Sequence, residues 1–318
     1  MTTIALGTGG EFDRIRRIAQ VLGASAAALG DDTAVIPAGA GTLLVSTDAS
    51  MEGVHFRRDW LAPHEIGWRA ASAALSDLAA SGALASGLVV AVSAPAGADD
   101  TLVVECMRGV GEAARSAGCR VLGGDLTAGP VLALTVTVFG HAARAVSRVG
   151  AAPGDALWVT GTLGGARAAL RAWEGEREPP AGARIAFAHP VPRLRAGAWL
   201  AQQGATAMLD ISDGLAGDAE HLAAASGVAL EIDLARLPIH PSVHAEAARE
   251  GEASAVFAAA GGEDYELLVA MPAGWDGTDE AEPWTGTPIR RIGEVVAGEG
   301  VTLRLGGEPV AVQGYRHG

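Results

Sequence analysis

Five short acidic signatures run along this chain: Gly30-Asp31-Asp32, Ser46-Thr47-Asp48, Ser76-Asp77, Gly123-Gly124-Asp125 and Asp210-Ile211-Ser212-Asp213-Gly214. Four of them follow on, or sit inside, apolar stretches, where an unpaired carboxylate is costly enough to demand a partner. Lysine is not that partner, because the sequence has none and all 23 basic residues are arginine. Hard divalent cations are the alternative: Mg²⁺ takes carboxylate oxygens and is commonly held between a few Asp and the phosphates of a substrate.

A length of 318 residues, 49% of them hydrophobic, suffices for two domains with their own cores. The net charge of −14 is uneven, with 14 acids against 11 arginines in residues 1–150 (−3) and 23 against 12 in 151–318 (−11). Binding phosphate backbones requires clustered basic residues, so no nucleic-acid partner is expected. A nucleotide would have to draw most of its positive charge from metal ions. Cys106 and Cys119 have neither CxxC spacing nor a Cys/His cluster and read as reduced, buried small hydrophobes. No charged-then-apolar leader and no apolar run of about 18 residues is visible, so a cytoplasmic protein without membrane association is expected.

Apolar periodicity predicts a helix over 11–22 through Phe12, Ile15, Ile18, Ala19 and Leu22. A strand follows over 42–47 with Asp48 at its carboxyl end, then an Ala-rich helix over 63–81 with Asp77 inside it. Next come a strand over 86–94, a helix over 99–117, a short buried strand over 119–122 running into Gly123-Gly124-Asp125, and a strand over 131–139. Residues 149–155 have the Gly/Pro content of a linker, which divides the chain into domains at 1–145 and 150–318. The second half gives a strand over 156–160, a glycine-rich turn over 161–165 and a helix ending near Trp173. After a loop-like stretch over 174–182 come a helix over 191–203, a strand over 207–211, a helix over 213–225, and strands over 228–232 and 264–271. Both halves mix α and β, with acidic turns at strand ends, where open α/β sheets bind ligands.

A strand-to-turn Asp is a weak signal by itself, since Asp is common in turns and at helix caps. Asp213 precedes a helix and reads equally as its cap or as a ligand. Asp77 is harder to dismiss, because Asp is a poor former of helix interiors and its neighbours are Leu75, Leu78 and Ala79. The pairs Asp31/Asp32 and Asp210/Asp213 repel unless a cation intervenes. Five such places on one chain favour a multi-metal phosphate site over five separate caps. Gly123-Gly124 permits close approach of backbone N–H groups to a phosphate. The turn Gly161-Thr162-Leu163-Gly164-Gly165 reads either as tight packing or as an anion site. Without lysine, neither a GxxxxGK[ST] loop nor the strand lysine of protein kinases exists, so phosphoryl transfer would need another apparatus.

The joint pattern resembles the thiamine-monophosphate kinases, within the aminoimidazole-ribotide synthetase fold group. The matching pieces are Gly10-Glu11-Phe12, Gly30-Asp31-Asp32-Thr33-Ala34, Ser46-Thr47-Asp48, Glu52-Gly53-Val54-His55-Phe56 and Leu75-Ser76-Asp77-Leu78-Ala79-Ala80. Further on are Gly123-Gly124-Asp125, Arg148 before Pro153-Gly154-Asp155, Asp210-Ile211-Ser212-Asp213-Gly214-Leu215 and Gly261-Gly262-Glu263-Asp264-Tyr265-Glu266-Leu267.

The resemblance implies a mixed α/β, two-domain aminoimidazole-ribotide synthetase-like fold, with N-terminal strands forming a barrel at a homodimer interface and a C-terminal α/β domain. It implies ATP-dependent phosphorylation of thiamine monophosphate to thiamine diphosphate, the last step of thiamine diphosphate biosynthesis. By the same analogy Mg²⁺ ions fall on Asp32, Ser46, Thr47, Asp48, Asp77, Asp125, Asp210 and Asp213, with Asp48 and Asp213 catalytic. ATP falls on Gly124, Asp125, Arg148 and Ser212, near the subunit boundary. His55, Glu263 and Tyr315 match positions that hold thiamine monophosphate. Each keeps a plainer alternative: a strand-end histidine, a strand cap and a packing aromatic, while Arg148 also reads as a partner of surface acid such as Asp155.

The acceptor in such a reaction is a phosphate monoester whose second pKa of about 6 leaves it largely dianionic at neutral pH, so no general base is required. Catalysis reduces to aligning two polyanions and offsetting their repulsion, which is roughly 4 kcal/mol for two unit charges about 4 Å apart at an effective dielectric near 20. Direct in-line transfer without a phosphoenzyme is therefore expected.

The sequence departs from the family pattern at Ala74, where Asn is usual, at Leu126, where Thr is usual, and at Met107, where an aromatic suited to adenine is frequent. Selenophosphate synthetase would need a reactive N-terminal Cys or Sec and a lysine, and the hydrogenase-maturation dehydratase a C-terminal cysteine. From another class, a Mg-nucleotide-binding regulator without turnover is the competing reading, and the retained acids argue against it.

Overall fold

The computed structural model describes residues 17–23, 41–277, 286–312 and 314. Asp31, Asp32, Tyr315 and most of the expected 11–22 helix lie outside the described residues, although 17–22 are helical where described. Contacts divide the chain into two units, Met1–Leu78 with Leu84–Ala143, and Ala79–Ala83 with Arg144–Gly318. No described helix is long and apolar enough to cross a membrane.

The first unit is built on a four-stranded sheet of β1 (Thr42–Met51), β2 (Leu84–Pro95), β3 (Val121–Gly129) and β4 (Ala133–Ala142) in the order β1-β4-β2-β3. β4 runs antiparallel to both neighbours, while β2 and β3 are parallel, the pairing that requires a long crossover. That crossover contains α2 (Asp100–Ser116), capped by Asp99 through the Thr101 N–H. It buries Val103, Cys106, Met107 and Val110. α1 (Pro63–Ala80) is almost continuously buried, and of its residues from Arg69 to Ala79 Asp77 alone is partly exposed. The two helices touch backbone to backbone. A Cβ on Gly67 would lie 1.8 Å from the Cys106 carbonyl oxygen, and one on Gly109 the same distance from that of His64. This is where the Ala/Gly-rich composition is spent. Burial pushes the Cys106 and Cys119 thiols up to about 12.

Two expectations about this unit are corrected. β1 continues to Met51, so Asp48 lies inside the strand rather than at its end, because β4 pairs with it as far as Ala133. Gly123-Gly124-Asp125 is likewise strand and not turn. β2 pairs with β3 as far as Gly129, and a Cβ on Gly124 would stand 2.0 Å from the Val90 carbonyl oxygen. The glycine serves close strand approach.

The second unit carries a seven-stranded mixed sheet of β5 (Ala156–Thr160), β6 (Ala207–Asp210), β7 (Ala229–Asp233), β8 (Leu267–Met271), β9 (Ile289–Val296), β10 (Gly300–Leu305) and β11 (Glu308–Pro309). Its order is β11-β10-β7-β9-β5-β8-β6. Leu157, Val159, Leu209, Leu230, Leu268 and Ile292 form its core with Leu215 and Leu222 of α6 (Leu215–Ser226). The helices α3 (Gly165–Glu174), α4 (Ala181–Ala188), α5 (Leu194–Gln202), α7 (Val243–Glu250) and α8 (Ser254–Ala259) complete it. The last expected strand begins at Leu267 instead of Asp264, because Glu263 (φ 70°) and Tyr265 (φ 52°) have left-handed backbone that no strand accepts.

Candidate active site

In the first unit, β1 and α1 bring three predicted residues together. Ser46 and Asp48 pair with Val138 and Val136, both fully buried, and so stand on the core side of the sheet. The Ser46 hydroxyl donates to Asp77 Oδ2 at 2.5 Å, joining strand to helix. Thr47 points the other way, its hydroxyl 3.0 Å from that of Thr137. Asp125 is exposed and falls in the register row Ala49–Thr135–Ala91, one row from that of Asp48, Val136, Val90 and Gly124. The backbone therefore does not place Asp125 with Ser46 and Asp48, nor Thr47 with them. His55 lies in the turn after β1, where its Nδ1 accepts the Met51 N–H at 3.1 Å. A neutral ring so held carries its proton on Nε2, a donor for a ligand. Met107 and Ala74, the departures from the family pattern, are both buried.

In the second unit, two chain segments are laid side by side. The β6–β8 pairing ends at Asp210 and Leu267 but is prolonged by irregular bonds: Ile211 N to Glu266 O at 2.7 Å, Tyr265 N to Ile211 O at 2.9 Å, and Glu263 N to Ser212 O at 2.8 Å. Asp210, Ser212, Asp213 and Glu263 thereby share one end of the sheet. Gly314 lies there too, since a Cβ on it would be 2.8 Å from Gly217 N and 3.1 Å from Asp213 O. Asp213 is not the helix cap: that position is Gly214, which has no side chain to offer.

Sequence reasoning missed Asp218. This residue of α6 is 5% exposed, and its Oδ2 accepts the Asp213 N–H at 3.0 Å, with the Ser212 N–H also bonded to it. Burial, followed by the charges of Asp210 and Asp213, pushes its carboxyl up to about 7. The signal available in the sequence was an acid on the apolar stripe of Leu215, Ala219 and Leu222. Ligand atoms of Asp213, Asp218 and His221 lie within 4.8 Å of one another.

Three more acids of this region are engaged internally. The Asp264 carboxylate accepts the Gly164 N–H at 2.8 Å and the Ala166 N–H, and burial drives its pKa well above the carboxylate range. It fills the N-terminus of α3, so the glycine-rich turn before that helix resolves to packing. Glu266, 2% exposed, accepts Thr160 Oγ1 at 2.6 Å and a two-pronged bond from Arg193 at 2.7 and 2.6 Å. The Glu263 carboxylate accepts the Tyr265 hydroxyl at 2.5 Å. Arg148 is exposed, with its carbonyl accepting the Ser226 hydroxyl at 3.0 Å. The Asp155 carboxylate, its alternative partner, accepts Ala152 N at 2.9 Å and Thr206 Oγ1 at 2.6 Å.

The two sheets and their acidic ends correspond to a two-domain class. Residues 30–142 match the AIR synthase related protein, N-terminal domain, and residues 152–306 match the C-terminal domain. Thiamine-monophosphate kinase of Aquifex aeolicus is 34% identical over 97% of this chain and 98% of that protein. Its counterpart from Escherichia coli is 35% identical over 96% and 95%. The chain belongs to the thiamine-monophosphate kinase family. A solved structure described as AaThiL complexed with AMPPCP and TMP covers 100% of both chains at 33% identity with a TM-score of 0.78. The thiamine-monophosphate kinase of Stenotrophomonas maltophilia reaches 0.82 at 32% identity, covering 96% of this chain and 99% of that one. A hydrogenase maturation protein HypE in complex with ATP has the same fold at 19% identity and a TM-score of 0.76.

Proposed function

We propose that this chain is a thiamine-phosphate kinase that transfers the γ-phosphoryl group of ATP to thiamine monophosphate, giving thiamine diphosphate and ADP in the cytoplasm. The observation that carries the reading is the juxtaposition of Asp210, Ser212 and Asp213 with Glu263 at one sheet end, in a chain alignable over nearly its full length with thiamine-monophosphate kinases. Residues 1–145 and 150–318 are the two functional domains; the first supplies Ser46, Asp48 and Asp77 from the core side of its sheet and Thr47 and Asp125 from the opposite side, and the second supplies Asp210 and Asp213. Asp32 and Tyr315 keep their proposed roles in metal and substrate binding.

The donor set fits Mg²⁺. Its groups are hard oxygens, and the repulsion that Asp210 and Asp213 exert on Asp218 is what a divalent cation would relieve. When bound, Mg²⁺ would supply the positive charge that offsets the charge of the phosphates. The chain's own work is binding and orientation. Asp48 and Asp213 are the catalytic residues of this reading, Ser46 holds Asp77 in position, and Arg148, Ser212, Asp125 and Gly124 are its ATP contacts. His55 Nε2–H and Glu263 hold the acceptor. The acceptor dianion needs no base, and transfer proceeds in line without a phosphoenzyme; a phosphorylated residue trapped on the turnover timescale would contradict this.

A homodimer goes with this reading. Leu43, Val45 and Leu84 lie on the outer side of the four-stranded sheet at 52%, 56% and 55% exposure, an apolar face suited to a second copy. Asp125 belongs to that side, which supports the reading that ATP binds near a subunit boundary.

The deciding test is purified protein with Mg-ATP and thiamine monophosphate, following ADP and thiamine diphosphate. Stoichiometric formation of both is expected. Binding of both ligands without product would leave the regulator, and no affinity for thiamine monophosphate would refute the assignment.

A further inference from the structure

Glu263 and Tyr265 are two of the three non-glycine residues with left-handed backbone among the described residues, and they stand one residue apart. Such conformations are strained for bulky side chains and persist only where the surroundings over-determine them. Here every alternate group is anchored. Glu263 N and Tyr265 N donate to Ser212 O and Ile211 O, the Asp264 carboxylate is fixed on the first turn of α3, and Glu266 is held by Thr160 and Arg193. The result of this strained, four-point anchorage is that the Tyr265 ring, 8% exposed, brings its hydroxyl onto Glu263 Oε2 at 2.5 Å. Glu263 itself remains partly exposed at the sheet end that carries Asp210 and Asp213.

We propose that Tyr265 is a positioning residue for substrate selection: its hydroxyl orients the Glu263 carboxylate as an anionic acceptor for the cationic ring portion of thiamine monophosphate. This rests on the proposed function. A carboxylate is repelled by the phosphate end of that substrate, whereas the thiazolium ring is positive and the aminopyrimidine is an N–H donor. A hydroxyl donor to one oxygen limits the rotation of the carboxylate, so the group meets the ring already oriented.

The experiment compares Tyr265→Phe, Glu263→Gln and the double variant in steady-state kinetics with each substrate varied in turn. Tyr265→Phe should raise the KM for thiamine monophosphate about tenfold, the scale of a lost hydrogen bond to a charged group. Its kcat should stay within about twofold and its KM for ATP should not change. The double variant should be no worse than Glu263→Gln alone, because one residue acts through the other. Glu263→Asp, too short to meet the hydroxyl and set back from the ring, should raise that KM at least as much with Tyr265 intact. An unchanged KM in Tyr265→Phe, effects that multiply in the double variant, or an equal rise in the KM for ATP would overturn the inference. Wild-type protein inactive on thiamine monophosphate would instead overturn the proposed function, and this inference with it.

Discussion

On the four-stranded sheet the candidate acids stand on regular backbone, Asp48 and Asp125 within strands and Asp77 within a helix. In the seven-stranded unit they stand on backbone bent to carry them. The difference follows from where backbone N–H groups are free. Strand and helix interiors commit theirs to ladders and turns, so the Asp77 carboxylate relies on a neighbouring hydroxyl, Ser46. Irregular segments and helix starts release N–H groups, and Asp218 and Asp264 take them from Asp213 and Gly164. The first unit thus presents acids, whereas the second stores them in internal networks and presents a selected few.

The sharpest way to break this contrast is Arg193→Met, which leaves Glu266 buried against Thr160 without its cation. A loss of about 3–5 kcal/mol in denaturant unfolding is expected. A change near zero would mean that the second unit's network is ornamental. Asp48→Asn, from the presenting side, should leave stability near wild type and cut kcat about 10²–10³-fold, as should Asp213→Asn. Near-normal rates for both at saturating Mg²⁺ would remove the metal assignment. Gly109→Ala drives a methyl group into the His64 carbonyl and should cost about 1–3 kcal/mol, read from the urea midpoint.

The smallest effect sharpens the comparison through pH. The folded-state pKa of Asp218, about 7, exceeds the usual 3.8, so the fold favours its protonated form. Its contribution is greatest at low pH and is lost as pH rises from about 4 towards 7, where the unfolded chain ionises and the folded one resists. In metal-free protein Asp218→Asn should flatten that decline, by on the order of 2 kcal/mol between about pH 5 and 8. Urea midpoints at several pH values measure it, and parallel wild-type and variant profiles would discount the charge cluster. Mg²⁺ should raise the wild-type midpoint most at the upper end of that range.

Much of the candidate site was legible because a few short strings of residues carry it, and the same strings locate most elements. What escaped has physical causes. Strand β1 reads as ending at Thr47, since Asp, Ser and the following Glu-Gly resemble a turn; only its partner β4, 90 residues away at the Thr47–Thr137 hydrogen bond, extends it. The glycines before Asp125 read as a turn for the same reason, whereas the parallel β2 demands a glycine at Gly124. The helices α4, α7 and α8 are short and Ala-rich, with little periodic signal. Asp218 looked like an ordinary acid in the first turn of a helix, and its meaning appears only when Asp210 and Asp213 are set against it.

The buried cysteines of α2 and its following turn bear on labelling chemistry. With thiols held protonated up to about 12 and no lysine anywhere in the sequence, maleimides and amine-reactive esters find no side chain to modify among the described residues near neutral pH. A single cysteine placed at Ile185, 58% exposed on α4, would therefore take a dye or spin label at one site without removing any native cysteine first.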